Sequence, residues 1–503
     1  MSLAHQTVES TLRALAIAGL ALVLAPPLAR LLAHTHGRQR TLVWALLLAP
    51  LLTPALLVSY AYSHLALRLM VVPGATSALY FAALMLKLVP VAALILHFVP
   101  PAISPEAVRC HALLNGRKNN SLRSTKGTKG HEKGFRFRDL SWTSPAWVKG
   151  WWAHWIFQLR AAGRAPWMAG GLVFLFAFTD FELASLWSLK TWTVALFDAQ
   201  AGGLALGASL RLAALPLGVE IAVLALILRA PAISIAPAGA GKAPGRIARP
   251  ALLAYLGGAA LLACGWPLLF VAAHAAAGFR AVAENFVLAN DLAASVGFAA
   301  AAALSAWLLA AVVQTTRLQS SDGRPRPSFG GRSRPPNFRG RVVRATTLAA
   351  PGLHGALLLS LALLAAFQLP ALHPAYDTPL PLLVALTLLL LPFALPLRWL
   401  LDTSRRTPAL HLARLAGSSA LIWRLDTRRR WLAAFLLFCW AYFDFTAGSI
   451  LAPVGLTPVF VRLHNLAHYG QTAVLSAMFL AAFAAPVAVL LLTAPAARWY
   501  ARR

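Results

Sequence analysis

The chain has 503 residues, of which 59% are hydrophobic and 12% are charged, and its mean hydropathy is +0.68. A soluble globular protein carries about 25% charged residues, so this composition argues against that class. The formal net charge of +30 would by itself suggest a nucleic-acid-binding protein. Because most basic residues lie between apolar stretches, we instead attribute the charge to membrane topology and to attraction by anionic lipids, and expect no nucleic-acid partner.

Apolar stretches of about 20 residues recur along the whole chain, and each is long enough to cross a hydrocarbon core of ~30 Å. The N-terminal stretch has no clear cleavage site and is predicted to be the first span rather than a signal peptide. The sequence therefore predicts an all-α polytopic membrane protein with about eleven transmembrane helices. The predicted spans are 11–33, 41–62, 76–100, 167–188, 204–228, 250–273, 287–314, 346–369, 380–397, 431–452 and 473–494.

The loops between these spans differ sharply in charge. One alternating set of loops, which includes the C-terminal tail, holds most of the 45 lysines and arginines. The opposite set holds only Arg68, Lys190, Arg280 and Arg462. Since basic loops stay in the cytoplasm, the N-terminus is predicted to lie outside and the C-terminus inside.

Two segments resemble each other, Ala177–Ser185 and Ala441–Ser449. They share Ala, an aromatic residue, Asp, Phe and Ser at the same five of nine positions. The two segments are six predicted spans apart, an even number, so the copies have the same orientation and indicate a parallel duplication. We predict a first half at 1–235 with five spans and a second at 236–503 with six.

Two basic segments rich in small polar residues interrupt these halves. The segment 117–138 is predicted to be an insertion in the first half, and 315–345 a basic loop in the second. Both have the composition of segments that form no packed core.

The acids inside the repeated segments are Asp180, Glu182 and Asp444. An acid in a membrane span is costly and usually marks either a polar pathway or a hydrogen-bond network that fixes helix packing; the sequence leaves both roles open. Other charged residues in or near spans are expected to have partners that the sequence does not identify, and these are Lys87, Arg211, Glu220 and Asp291. For Asp291 the sequence also leaves open a position at the outer membrane interface without a buried partner.

No catalytic or metal site is predicted. Three separated cysteines indicate neither a disulfide framework nor a metal site. His464 and His468 have the spacing of metal ligands on one helix face, but no third ligand is near in sequence and Arg462 disfavours a cation. The segment Pro237–Gly245 contains Gly-Lys but lacks the first glycine and the Ser or Thr of a nucleotide-binding loop. ATP hydrolysis is therefore expected on another chain, with no cofactor bound here.

The pattern resembles the membrane subunit of bacterial ATP-binding-cassette importers, of the fused ferric-iron or thiamine permease type. The segments 457–470 and 378–394 resemble, respectively, the outward segment and the span before the cytoplasmic coupling loop of such permeases. The resemblance implies a bacterial inner-membrane location and a small solute delivered by an extracytoplasmic binding protein. It also implies an ATP-binding-cassette ATPase dimer on the cytoplasmic face.

The coupling loop of that family has the pattern Glu-Ala-Ala, three residues, Gly. In the second half the resembling residues are His411, Ala413 and Gly417, with His in place of Glu. In the first half they are Glu106, Ala107 and the later Gly116. Two other functions stay open, a secondary transporter with parallel repeats, which would use the acids as proton relays, and a membrane-embedded transferase.

Overall fold

The computed structural model describes residues 2–98, 165–229, 248–283, 286–319, 349–404, 408–467 and 472–500. These residues form helices and turns, with no strand among them. The predicted all-α membrane class is thus confirmed. Glu106, Ala107 and Gly116, the segment 117–138, most of 315–345 and His468 lie outside the described residues.

The helices of the first part of the chain lie between residues 3 and 229. They are α1 (Leu3–His34), α2 (Gly37–Leu52), α3 (Ala55–Leu69), α4 (Ala75–Phe98), α5 (Ala165–Phe178), α6 (Glu182–Leu186), α7 (Trp192–Ala201) and α8 (Leu206–Arg229). Next come α9 (Ala248–Ala260), a π-helical turn (Leu261–Gly265), α10 (Trp266–Ala275) and α11 (Phe279–Ala283).

The remaining helices lie between residues 286 and 500. They are α12 (Phe286–Gln319), α13 (Gly355–Phe367), α14 (Leu380–Ser404), α15 (Pro408–Leu415), α16 (Ser419–Ile422), α17 (Arg428–Tyr442), α18 (Thr446–Leu451), α19 (Val459–Ala467) and α20 (Thr472–Tyr500).

The number of spans is somewhat lower than the predicted eleven. Among the described residues, eight helices are long and apolar enough to cross a membrane, or nine if the bent pair α2 and α3 counts as one span. That pair bends by 74° at Pro54, which has no N–H to continue the helix. In the predicted spans 346–369 and 431–452 the longest helices are α13 and α17, with 13 and 15 residues. A hydropathy window does not detect a break in a helix when the residues around the break are apolar.

The helices pack in the same order in both parts of the chain. α1 contacts α4, α5 and α7, while α12 contacts α14, α17 and α19. Likewise α3 contacts α6, and α13 contacts α18. The two parts meet along two lateral seams, one where α8 contacts α13 and one where α20 lies beside α3. Between these seams lie the short helices α6 and α18, which follow the two repeated acids.

Candidate functional site

Asp180 and Asp444 occupy equivalent positions at the start of α6 and α18. The Asp444 carboxylate accepts a hydrogen bond from the backbone N–H of Ala447, with 2.9 Å between Ala447 N and Asp444 Oδ2. This is the capping contact that satisfies the free N–H groups at a helix start. The Asp180 carboxylate lies near the corresponding N–H groups of Leu183 and Ala184. Both repeated acids therefore lie at the start of a short helix between the two parts of the chain.

The hydroxyls of the repeated serines also make matching contacts. Ser185 Oγ donates to the Glu182 carbonyl at 3.2 Å, and Ser449 Oγ donates to the Thr446 carbonyl at 2.8 Å. Thus the repeated serines, which help to make the two segments similar in sequence, make the same local hydrogen bonds. This shared geometry at the start of a short helix accounts for the repeated Ser.

A row of four aromatic rings crosses between the two repeated segments. Phe181 and Phe445 stack with ring centroids 6.0 Å apart and ring planes within 8° of parallel. Phe197 lies 4.7 Å from Phe181, and His464 lies 4.1 Å from Phe445. We call Phe197, Phe181, Phe445 and His464 the four-ring row.

The outer rings of this row are also counterparts. The alignment that pairs Val194 with Val461 and Leu196 with Leu463 pairs Phe197 with His464 at the next position. His464 is thus a buried ring that packs on Phe445. Within the described residues no group of three or more His, Cys, Asp or Glu side chains could hold a metal ion.

The carboxyl group of Glu182 lies within electrostatic range of Asp444, Asp180 and Lys87. The residue that aligns with Glu182 in the second repeated segment is Thr446, which carries no charge. Three carboxyl groups and one ammonium group are therefore close enough to interact electrostatically near the four-ring row.

Lys87 on α4 contributes the basic group of this cluster. Its Nζ donates to the Thr53 carbonyl at 3.0 Å, at the bend between α2 and α3, and it interacts electrostatically with Glu182 and Asp180. A helix break frees backbone carbonyls that need a partner inside a membrane. Lys87 thus supports the bend and offsets part of the negative charge.

A polar chain also leads from Asp180 to α1. The Tyr80 hydroxyl donates to Asp180 Oδ2 at 3.0 Å, the guanidinium of Arg13 lies 5.4 Å from the centre of the Tyr80 ring, and Arg13 pairs with Glu9 at 2.7 Å. These contacts join residues far apart in the sequence, and the sequence did not reveal Tyr80 or Arg13 as part of the site.

The second part of the chain lacks this polar chain. Aligning Pro90 of α4 with Pro392 of α14 places Leu382 opposite Tyr80 and Leu389 opposite Lys87. Beside Asp444, a cavity lined in part by Leu382 and Ser295 has room for about one water molecule. The site is therefore similar in backbone geometry on its two sides and different in polarity.

The other charged residues predicted to have partners are placed as follows. Glu220 on α8 is fully buried and its Oε2 lies 2.8 Å from His354 Nδ1, across the seam with α13. Asp291 on α12 forms an ion pair with Arg462 on α19. Arg211 lies on the exposed side of α8. These pairs stabilise contacts between helices away from the four-ring row.

The coupling-type residues of the second half lie on α15 and at its end. Ala413 is buried and His411 is exposed. Gly417 has φ +62°, and the Ser418 N–H donates to the Ala413 carbonyl at 3.1 Å. This is the glycine-terminated helix end known as a Schellman motif, and it accounts for the spacing from Ala413 to Gly417.

α15 has an apolar surface that no described residue covers. Leu412 and Leu415 are 63% and 72% exposed, and Leu421 on α16 is also exposed, whereas Leu410 and Ala413 are buried. The helix lies outside the candidate membrane spans. An exposed pair of leucines on a short helix is typical of a binding surface.

No protein-family model matches the sequence, and no curated protein or solved structure is similar to it.

Proposed function

We propose that the chain is the permease subunit of an ATP-driven importer, built from two duplicated halves. The matching positions of Asp180 and Asp444, the four-ring row and the repeated packing order support the duplication. In this proposal a solute crosses the membrane between the halves. Solute sites in transporters commonly lie at the interface between structural repeats.

The observation that carries the ATP-driven function is the exposed apolar surface of α15. A short helix outside the spans, ended by Gly417 and presenting Leu412 and Leu415, fits a groove of a separate ATPase subunit. The ATPase would act as a dimer, and its second groove would take the segment around Glu106, Ala107 and Gly116. This chain would hydrolyse no ATP and bind no cofactor.

The charge bias of the loops supports the remaining parts of the proposal. With basic loops in the cytoplasm, α15 lies on the inner side, the N-terminus lies outside and the C-terminus lies inside a bacterial inner membrane. A binding protein would deliver the solute from outside, and the family resemblance suggests ferric iron or thiamine as that solute.

Co-purification tests this proposal. The tagged chain is co-expressed with each ATP-binding-cassette ATPase of its own organism in turn, and it is expected to purify together with one of them. L412S/L415S should abolish the complex, whereas the control L369S/L372S, which changes exposed leucines (57% and 42%) in the turn after α13, should retain it. Binding that is unaffected by L412S/L415S would contradict the proposal.

A secondary transporter is the second candidate, and the cluster of Asp180, Glu182, Asp444 and Lys87 favours it, because membrane carboxyl groups can relay protons. Vesicles that contain this chain alone distinguish the two candidates. Solute uptake driven by a proton gradient without an ATPase supports the second candidate, and uptake that needs ATP and the ATPase supports the first.

A further inference from the structure

The centre of the four-ring row is formed by two residues that are counterparts of each other. In an assembly of two equivalent units, a residue that contacts its own counterpart must lie at the symmetry axis. Phe181 and Phe445 are such a pair, since each follows a repeated aspartate directly and their rings stack. Their contact therefore marks the axis between the two parts of the chain.

The rings at this axis are closely packed. Phe181 is 3% exposed and Phe445 is 1% exposed, and the outer rings of Phe197 and His464 press on them from either side. A pathway between two equivalent halves follows the axis, so a packed aromatic pair on the axis blocks it.

We propose that Phe181 and Phe445 form the closed constriction of the translocation pathway. This inference rests on the proposed transport of a solute between the halves. Opening requires the two stacked rings to separate.

Carboxyl groups lie near the constriction. Glu182 lies within electrostatic range of Asp444 and Asp180, and Lys87 supplies the neighbouring positive charge. A small cation is therefore a suitable probe of opening, since it is not repelled by these carboxyl groups.

The first experiment uses the full chain alone in lipid vesicles, with thallium(I) ions outside and a thallium-quenched fluorophore inside. F181A/F445A is expected to admit thallium several-fold faster than the wild type, which stays near the rate of empty vesicles. The matched control is Y60A/F479A, which removes another stacked aromatic pair, 5.3 Å apart, at the lateral seam between α3 and α20. A leak equal to that of the control would overturn the constriction.

A cysteine pair tests the same contact without enlarging the pathway. In a chain with Cys110, Cys264 and Cys439 replaced by serine, F181C/F445C is expected to be linked by a short homobifunctional thiol reagent, and the link is identified by mass spectrometry of the joined peptides. If F181A/F445A does not fold, this experiment tests the contact instead, and the absence of a link with reagents that span the width of two stacked rings would overturn it.

These measurements need no ATPase, so the constriction and the ATP-driven function can fail separately. If F181A/F445A leaks thallium and the wild-type chain binds no ATPase, the proposed constriction stands and the proposed ATP-driven importer is ruled out.

Discussion

Asp180 and Asp444 occupy the same position relative to a following short helix, each two residues before the residue at which that helix begins. Between those two helix starts the Phe181 and Phe445 rings stack at 6.0 Å. The costly acids thus have equivalent positions in both parts of the chain, and only Asp180 has Tyr80 and Lys87 nearby.

Substitutions at Asp444 separate its structural role from a role in transport. Asp444→Ala removes the cap and is expected to lower the free energy of unfolding by about 0.5–2 kcal/mol. Asp444→Asn retains a capping oxygen and should cost less. The measurement is thermal unfolding of the purified chain together with solute uptake. If Asp444→Asn has both the stability and the uptake of the wild type, the negative charge is not needed for transport. If it has the stability of the wild type but not its uptake, the charge is needed.

Lys87→Met is expected to destabilise the chain by about 1–3 kcal/mol, because it leaves the Thr53 carbonyl without its partner and the carboxyl groups without a counter-charge. The control is Lys190→Met, which changes an exposed lysine. The double variant K87M/E182Q should lose less free energy of unfolding than the two single variants lose together. The reason is that Glu182→Gln removes a negative charge that Lys87→Met leaves without a counter-charge. Strict additivity in unfolding experiments would show that the two residues are not coupled.

The seam between α8 and α13 depends on Glu220 and His354. His354→Ala leaves a fully buried carboxyl group without its 2.8 Å partner and should destabilise the chain by about 1–3 kcal/mol. The double variant H354A/E220L, which replaces both polar groups with apolar ones, should recover part of that loss. If it is as unstable as H354A, then the buried carboxyl group is not the cause.

Gly417 tests whether the end of α15 matters for coupling. Its φ of +62° disfavours a side chain, although no atom lies within 4 Å of an added Cβ. Gly417→Ala should therefore cost about 1–2 kcal/mol locally and weaken ATPase binding, while Gly417→Asn should be tolerated better. Equal binding by both variants and the wild type in co-purification would show that the helix end is not needed.

The sequence predicted the helical membrane class and the equivalent placement of Asp180 and Asp444, because hydropathy and short repeats are local signals. It did not predict the contacts of Tyr80 with Asp180 or of Glu220 with His354, which join residues 100 and 134 positions apart. It overestimated the number of spans, because breaks before α13 and after α17 shorten these helices without changing the hydropathy around them.

The aromatic row was partly visible in the sequence. Phe181 and Phe445 lie inside the repeated segments, but a shared Phe indicates packing as readily as it indicates an axis. Phe197 and His464 follow the aligned Leu196 and Leu463, yet their different residue types conceal the relationship. Only the ring stacking shows that counterparts contact each other.

ATP turnover in lipid vesicles tests the central claim of an ATP-driven permease most directly. Vesicles that contain this chain and the ATP-binding-cassette ATPase that co-purifies with it are expected to hydrolyse ATP faster than vesicles with the ATPase alone. L412S/L415S should remove that increase and L369S/L372S should retain it. ATP hydrolysis that does not depend on this chain, or that is unchanged by L412S/L415S, would contradict the proposed function.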